Sequence, residues 1–445
     1  MKFLNTKQLA CAALIGASAG LAHAAPPIQH WTQASGAQVY LVESPGIPML
    51  DVQIDFDAGA RRDPPGRAGL ASATALMTGK GIAAQGSAPA LDENQVGAAW
   101  ADLGASFDAD ASNDRMSFRL RTLTDPQLLP QSVALAARQL AAPDFPAKVW
   151  QRERESLSAA LREARTRPGT VAGIAFSHAV FDPHPYGYET TPESLAAVSV
   201  QDMRRFYTAS IQPCRAKLSL VGAVTRAQAD DLARQLLAGL PAPAACAPLP
   251  PVPPVQPLAA AREIDIPFAS AQAHVLMGQP GYRRADPDHF ALNVGNYILG
   301  GGGFVSRLTD QVREKRGLSY SVYSSFAPGL DAGAFVIGLQ TRPDQAGQAL
   351  TVARQVLTEF VANGPTDAEV KAAQDNLVNG FALLIDSNAK LLANVANIAW
   401  NDLPLDYLDT WSAHVQSITA ADIKAAFARK VDPARMVTVV VGGKP

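Results

Sequence analysis

An arginine and a tyrosine seven residues apart, Arg313 and Tyr320 in "REKRGLSY", are the side chains here best suited to holding an oxygen that carries or gains negative charge. Arginine is always charged and donates in a planar fork. A tyrosine hydroxyl is a neutral donor that can be aimed at a tetrahedral oxygen. Spacing alone favours the plainer reading, a surface arginine joined to Asp310 or Glu314 and a half-buried strand tyrosine. His178 and His184, six apart around a turn, could hold a metal, although a loop pair of this kind is more often structural. No G-x-S-x-G elbow or other hydrolase signature supplies a serine mechanism, which leaves Ser72 without the setting of a nucleophile. The glycine run Gly300 to Gly303 has no lysine at the place a phosphate loop needs one. It reads as a flexible or close-packed lead into the next helix.

The elements that must position these groups alternate between two periods. Strand candidates are "QVYLVES", "LDVQIDFDAG", "RMSFRLRTL", "AQAHVLMGQP", "SYSVYSSF" and "GAFVIGLQT". Helix candidates are "QLLPQSVALAARQLA", "KVWQRERESLSAALREART", "DHFALNVGNYIL", "AGQALTVARQVLTEFVAN" and "DAEVKAAQDNLVNGFALL". Interleaved helices and alternating strands predict an α+β fold, with mostly antiparallel sheets and helices packed on one face. A proline- and alanine-rich stretch, 240–262, reads as a stiff extended linker. It divides the chain into an N-terminal domain, 25–239, and a C-terminal domain, 263–445. The two halves end alike: "VSVQDMRRFYTASIQPCRAKLSLVG" from Val198 and "ITAADIKAAFARKVDPARMVTVVVG" from Ile418 align without a gap. Each copy reads as a capped helix, a proline turn and an apolar strand, with Ser199 or Thr419 as N-cap. The shared register points to internal duplication and two homologous domains.

"DFDAGARRDPPGRAGLASATALMTGKG", Asp55 to Gly81, resembles the opening of the zinc peptidases of the insulinase/pitrilysin (M16) type, which include the mitochondrial processing peptidases. That family shows a strand, "AGSR", a loop, "GxAH" and the inverted zinc motif HxxEH followed by Met. Here Ala58-Gly59-Ala60-Arg61 and Gly69-Leu70-Ala71 keep the frame and Met77 follows. The resemblance implies that Ser72 stands at the first histidine, Ala75 at the general-base glutamate and Leu76 at the second histidine. Two imidazoles one helical turn apart can bind one zinc ion, and a neighbouring carboxylate can take a proton from its water. Ala75 cannot accept a proton, Leu76 has no lone pair to give, and Ser72 is at best a weak ligand. The family's third ligand is a glutamate before a proline. Counting back from Pro168 puts Ala160 at that position, while Glu153 keeps the family's upstream acid. Glu155 and Glu163 are close enough for a slip of register to supply one ligand, but one glutamate without the histidines makes no zinc site.

"LGGGGFVSRLTDQVREKRGLSYSVYSSF", Leu299 to Phe326, resembles the same family's C-terminal substrate motif. The resemblance implies that Arg313 and Tyr320 face a zinc site across a chamber, bind substrate main chain and stabilise the developing oxyanion. "FDPHPYGYETTPESLAAVS" also resembles a family segment, so the likeness runs from about Gln38 to Gly442. It implies that each chain is half of a clamshell. This chain would bind no metal of its own. A homologous partner bearing HxxEH would hold the zinc, and the substrate would be a peptide or unfolded polypeptide. The alternatives are a non-catalytic scaffold, like the family's core subunits in respiratory complexes, or a homodimeric peptide binder.

Composition narrows the setting. Of 445 residues, 48% are hydrophobic and 18% charged, which is globular and offers nothing to nucleic acid at a net charge of −2. Lys2 and Lys7, the run "LACAALIGASAGLA" and "AHA" at Ala22 to Ala24 predict a signal peptide over 1–24. Its removal takes two lysines and no acids, which brings the net charge to −4. A periplasmic protein with no membrane association after cleavage is expected. In an oxidising compartment Cys214 and Cys246 could form a disulfide or remain two buried thiols.

Overall fold

The computed structural model describes residues 27–241 and 246–443. The expected signal peptide lies outside them. In the first half come β1 (Gln29–Thr32), β2 (Gln38–Glu43), β3 (Met49–Phe56), α1 (Leu70–Met77), β4 (Gly81–Ile82), β5 (Leu91–Asp92) and α2 (Glu93–Asp102). They are followed by β6 (Ser106–Ala111), β7 (Met116–Leu123), α3 (Leu128–Ala141), α4 (Ala147–Ala164), α5 (Pro168–Phe181), α6 (Pro192–Ala196), α7 (Val200–Ser210), β8 (Lys217–Gly222) and α8 (Arg226–Leu237). The second half holds β9 (Arg262–Ile266), β10 (Ala273–Pro280), α9 (His289–Asn296), β11 (Ser321–Phe326), β12 (Ala334–Thr341), α10 (Ala346–Asn363) and α11 (Asp367–Gly380). It closes with α12 (Asn388–Trp400), α13 (Tyr407–Ser417), α14 (Ala420–Lys430) and β13 (Val437–Val441).

The sheets share one topology. The first runs β1-β2-β8-β3-β7-β6 and the second β11-β12-β10-β13-β9. Each has a single parallel pair, β2 with β8 and β9 with β13, and is otherwise antiparallel. The duplication extends well beyond its sequence signature. α5 begins at 168 and α12 at 388, α7 at 200 and α14 at 420, β8 at 217 and β13 at 437, always 220 apart. The caps repeat as well. The Ser199 hydroxyl donates to Asp202 at 2.6 Å and the Thr419 hydroxyl to Asp422 at 2.6 Å, and each accepts back from the backbone N–H of that aspartate.

One face of each sheet packs on helices of its own half, with Phe56, Phe118 and Tyr207 central in the first core and Phe335, Phe360 and Phe427 in the second. The other face takes a helix from the opposite half. α12 lays Leu391, Val395 and Ile398 on Tyr40, Val42 and Val221 of the first sheet. α5 lays Phe176 and Val180 on Val437, Val439 and Val441 of the second. Neither segment is among the periodic helices read from the sequence. α5 lacks a polar stripe because it is enclosed between the halves: of its 14 residues only His178 is exposed. Polar ties secure the exchange. Lys217 Nζ donates to the Ala399 carbonyl at 2.8 Å, at the end of α12 where a cation is favoured. Arg115 Nη1 reaches buried Asp55 at 2.9 Å and the Ala396 carbonyl at 3.2 Å.

Residues 246–261 form neither helix nor strand. Cys214 and Cys246 are disulfide-bonded, and Arg215 Nη2 donates to the Ala247 carbonyl at 2.6 Å. The start of the connecting segment is therefore tied to the first half.

Candidate functional site

The frame around α1 is built to hold a helix start in place. Gly69 has φ 96°, and a Cβ there would lie 2.7 Å from Thr190 Cγ2, so no other residue suits the turn. Asp63 is buried and accepts from the Gly69 and Ala71 N–H groups at 2.7 and 2.8 Å. Burial pushes its carboxyl up to about 7 against the pull of those donors. On the helix so anchored, Ser72 is exposed, Leu76 is half-buried and Ala75 is buried in the first core. Ala160 is exposed on α4. Zinc does not fit these four side chains, which offer one hydroxyl among hydrocarbon.

The acids of α4 are already engaged. Glu153 lies 3.1 Å from Lys80 and 2.6 Å from Arg152, and Arg152 also reaches Glu93 at 2.6 Å. Arg152 first, then Lys80, hold Glu153 below the usual carboxylate range. Glu155 accepts from Gln151 at 3.2 Å and Glu163 pairs with Arg167 at 3.2 Å. Among the described residues no group of three His, Cys, Asp or Glu is placed to hold a metal ion.

His178 and His184 part company. His178 is exposed, whereas His184 is buried with Nδ1 accepting from the Tyr186 N–H at 3.1 Å. Burial lowers the His184 pKa, and its Nε2 sits 3.8 Å from Asp331 in the other half.

Arg313 and Tyr320 are brought together. The Arg313 guanidinium carbon lies 4.8 Å from the Tyr320 ring centre and 4.7 Å from that of Phe304. Its Nε is 3.4 Å from Glu314, while Asp310 pairs with Lys315 instead. Tyr320 is 81% exposed and Phe304 71%, so neither is a packing residue. Both rings lie within cation–π reach of the guanidinium. The glycine run sets the position of Phe304: a Cβ on Gly300 would meet the Ser324 backbone nitrogen at 2.4 Å, so the run packs directly on β11. Phe304 escaped the sequence reading. Its only signal was a large apolar pair, Phe304-Val305, straight after the glycines.

Tyr320 also immediately precedes β11, an edge strand that among the described residues pairs with β12 alone and has no strand on its other side. Beside the start of this strand, Gly169 and Gly173 of α5, His274, Ser321 and Tyr323 line a cavity of about 300 Å³. The arrangement offers a charged fork, a hydroxyl and a strand edge on one exposed surface.

Comparison with known proteins places the chain. The model of insulinase (peptidase family M16) matches residues 38–191, and that of the peptidase M16 inactive domain matches 197–377. The crystal structure of a peptidase M16 inactive domain from Pseudomonas fluorescens is similar at a TM-score of 0.88 and 31% identity, covering 94% of this chain and 98% of that one. An uncharacterized zinc protease of Streptomyces coelicolor is 31% identical over 285 residues, 62% of this chain and 61% of its own length. The match thus spans less than two thirds of that relative. The periplasmic protease PqqL from Escherichia coli shares the fold at a TM-score of 0.79 and 17% identity; 94% of this chain is covered but only 46% of PqqL. The chain belongs to the M16 insulinase family of peptidases and has its two-domain α+β fold. Among the described residues no helix is long and apolar enough to cross a membrane.

Proposed function

We propose that this chain is the non-metal-binding subunit of a heterodimeric periplasmic metallopeptidase, exported on a cleavable signal peptide. Its partner is a homologous chain bearing HxxEH. The observation that carries the reading is the packing of half-buried Arg313 against exposed Tyr320 and Phe304 beside an edge strand; the family resemblance puts Ser72, Ala75, Leu76 and Ala160 at the ligand and base positions. The periplasmic PqqL chain, of which this one covers 46%, supports an exported assembly of two such units.

Zinc, held by the partner, would supply the activated water. This chain's residues act on the substrate. Arg313 donates to a main-chain carbonyl of a peptide or unfolded segment laid along the β11 edge. The Tyr320 hydroxyl donates to the carbonyl oxygen as it gains charge. Such a donor matters at about 10²–10³ in rate.

The test is to purify this chain with an HxxEH-bearing homologue encoded beside it. Zinc and peptide cleavage are then measured for each chain alone and for the mixture. Activity should belong to the mixture, and Arg313→Ala or Tyr320→Phe should each lower its kcat. Indifference of the mixture to both changes overturns the assignment. The β11 edge also favours a second reading, a non-catalytic scaffold or peptide-binding protein. That reading expects peptide binding with no turnover in any mixture.

A further inference from the structure

A buried arginine without a carboxylate partner lies well apart in sequence from the Arg313 cluster. Arg284 is 9% exposed. Its Nη2 donates to the Tyr407 hydroxyl at 2.6 Å, and its guanidinium lies 5.2 Å from the Tyr407 ring centre. Among the described residues no carboxylate comes within 4 Å of it, because the acids nearby have cations of their own. Asp286 pairs with Lys430, Asp288 with Arg429 and Asp331 with Arg283. Its Nε and Nη1 make no hydrogen bond to the described side chains and backbone and are not fully enclosed, which leaves them reachable by solvent or a ligand. Burying a guanidinium costs several kcal/mol unless a counter-charge or full hydrogen bonding offsets it. One tyrosine hydroxyl and one ring supply only part of that.

Arg284 borders a cavity of about 470 Å³ between α9, α11, α12 and α13. Four asparagines, Asn293, Asn376, Asn394 and Asn397, join it in the lining, and no acid does. The rest of the wall is largely apolar, with Phe381 stacked on Trp411 at 4.9 Å. His289 also lines it and contributes no charge at neutral pH, since burial lowers its pKa to about 3.

We propose that this cavity binds a monocarboxylate carried on an apolar body, with the carboxylate on Arg284. A guanidinium fork matches a carboxylate bidentately. The single charge suits a monoanion better than a phosphate dianion, since neither a lysine nor a second arginine lines the wall. The amides of Asn293, Asn376 and Asn397 add donors without adding charge, while Asn394 spends its own on the Leu384 and Lys390 carbonyls; the apolar wall accommodates a short aliphatic or aromatic segment. The C-terminal end of an apolar peptide and a medium-chain fatty acid share this chemistry.

Calorimetric titration of the full exported chain at pH 7 tests it. The probes are N-acetyl-alanyl-leucine, its C-terminal amide, octanoate and inorganic phosphate. At least one carboxylate should bind, and the dipeptide acid or octanoate identifies the source. If the dipeptide binds, its amide should be at least tenfold weaker. Arg284→Gln should weaken the bound carboxylate about tenfold or more. Because that variant removes a buried charge, Gly380→Leu provides a second route. Gly380 lines the cavity, and an added Cβ there meets nothing within 4 Å, so a larger side chain can start at this position without a clash at its Cβ. It should weaken binding to a similar extent. Absence of carboxylate binding by the unmodified chain, equal binding of acid and amide, preference for phosphate, or unchanged binding by a folded Gly380→Leu protein would each overturn the proposal.

Discussion

At the scale of single residues, the aromatic clasp on Arg313 decides what the side chain can do. Held by Phe304 and Tyr320, it is presented at the surface with little freedom left to lose on binding. Phe304→Ala should therefore raise KM of the active mixture several-fold while leaving its kcat closer to that of the parent, whereas Tyr320→Phe should cost about 10²–10³ in kcat. Steady-state kinetics with one peptide separate the two. His289 carries a different expectation. Burial chiefly, and Arg284 next, hold its pKa at about 3, while Asp286 pulls the other way. An unfolded histidine titrates near ~6.5, so as pH falls the unfolded chain takes the proton first. Stability from this group is complete above about pH 6.5 and is lost as pH falls toward 3. Urea unfolding at pH 7 and pH 5 should differ by about 2 kcal/mol more in the parent than in His289→Gln.

The arginine and tyrosine themselves were legible because their motif is local: a helical turn, a glycine and a strand start within "REKRGLSY". Phe304 was not, because its closeness to Arg313 depends on how the glycine run packs against β11, which no spacing rule expresses. Nor was Arg284. Its isolation follows from Lys430, Arg429 and Arg283 claiming the nearby acids, two of those cations from a helix far along the chain.

At the scale of elements, the exchanged helices carry much of each half's second core. Phe176 on α5 rests against the second sheet so closely that a Cβ on Gly278 would lie 2.9 Å from its ring. Phe176→Ala should cost about 3–5 kcal/mol and raise hydrogen exchange in β10 and β13, although the substitution is in the first half. The disulfide between Cys214 and Cys246 closes a 32-residue separation. Replacing both cysteines by serine should cost about 3–4 kcal/mol on the loop-entropy argument, read as a lower urea midpoint under non-reducing conditions. Every strand and helix candidate named from its period has its counterpart in the structure. α5 and α12 went unnamed, α5 because a helix enclosed on nearly all sides carries no alternation between wet and dry faces.

At the scale of the whole molecule, the exchange makes the halves interdependent. Val437, Val439 and Val441 of the second sheet would face water without α5, and Val42 and Val221 of the first would face it without α12. A fragment of residues 263–445 is therefore expected to bind hydrophobic dye and to melt without a cooperative transition, while the intact chain unfolds in one step by circular dichroism and calorimetry.

The sequence by itself determined the duplication, the α+β character and the family resemblance. All three are carried by residue type and local pattern. The tertiary structure alone decided which half covers which sheet, that Cys214 meets Cys246, that Phe304 backs Arg313, and that Arg284 faces a cavity without a counter-charge. Each of these depends on contacts between segments brought together by folding, and the energetics of such contacts leave no periodic trace along the chain.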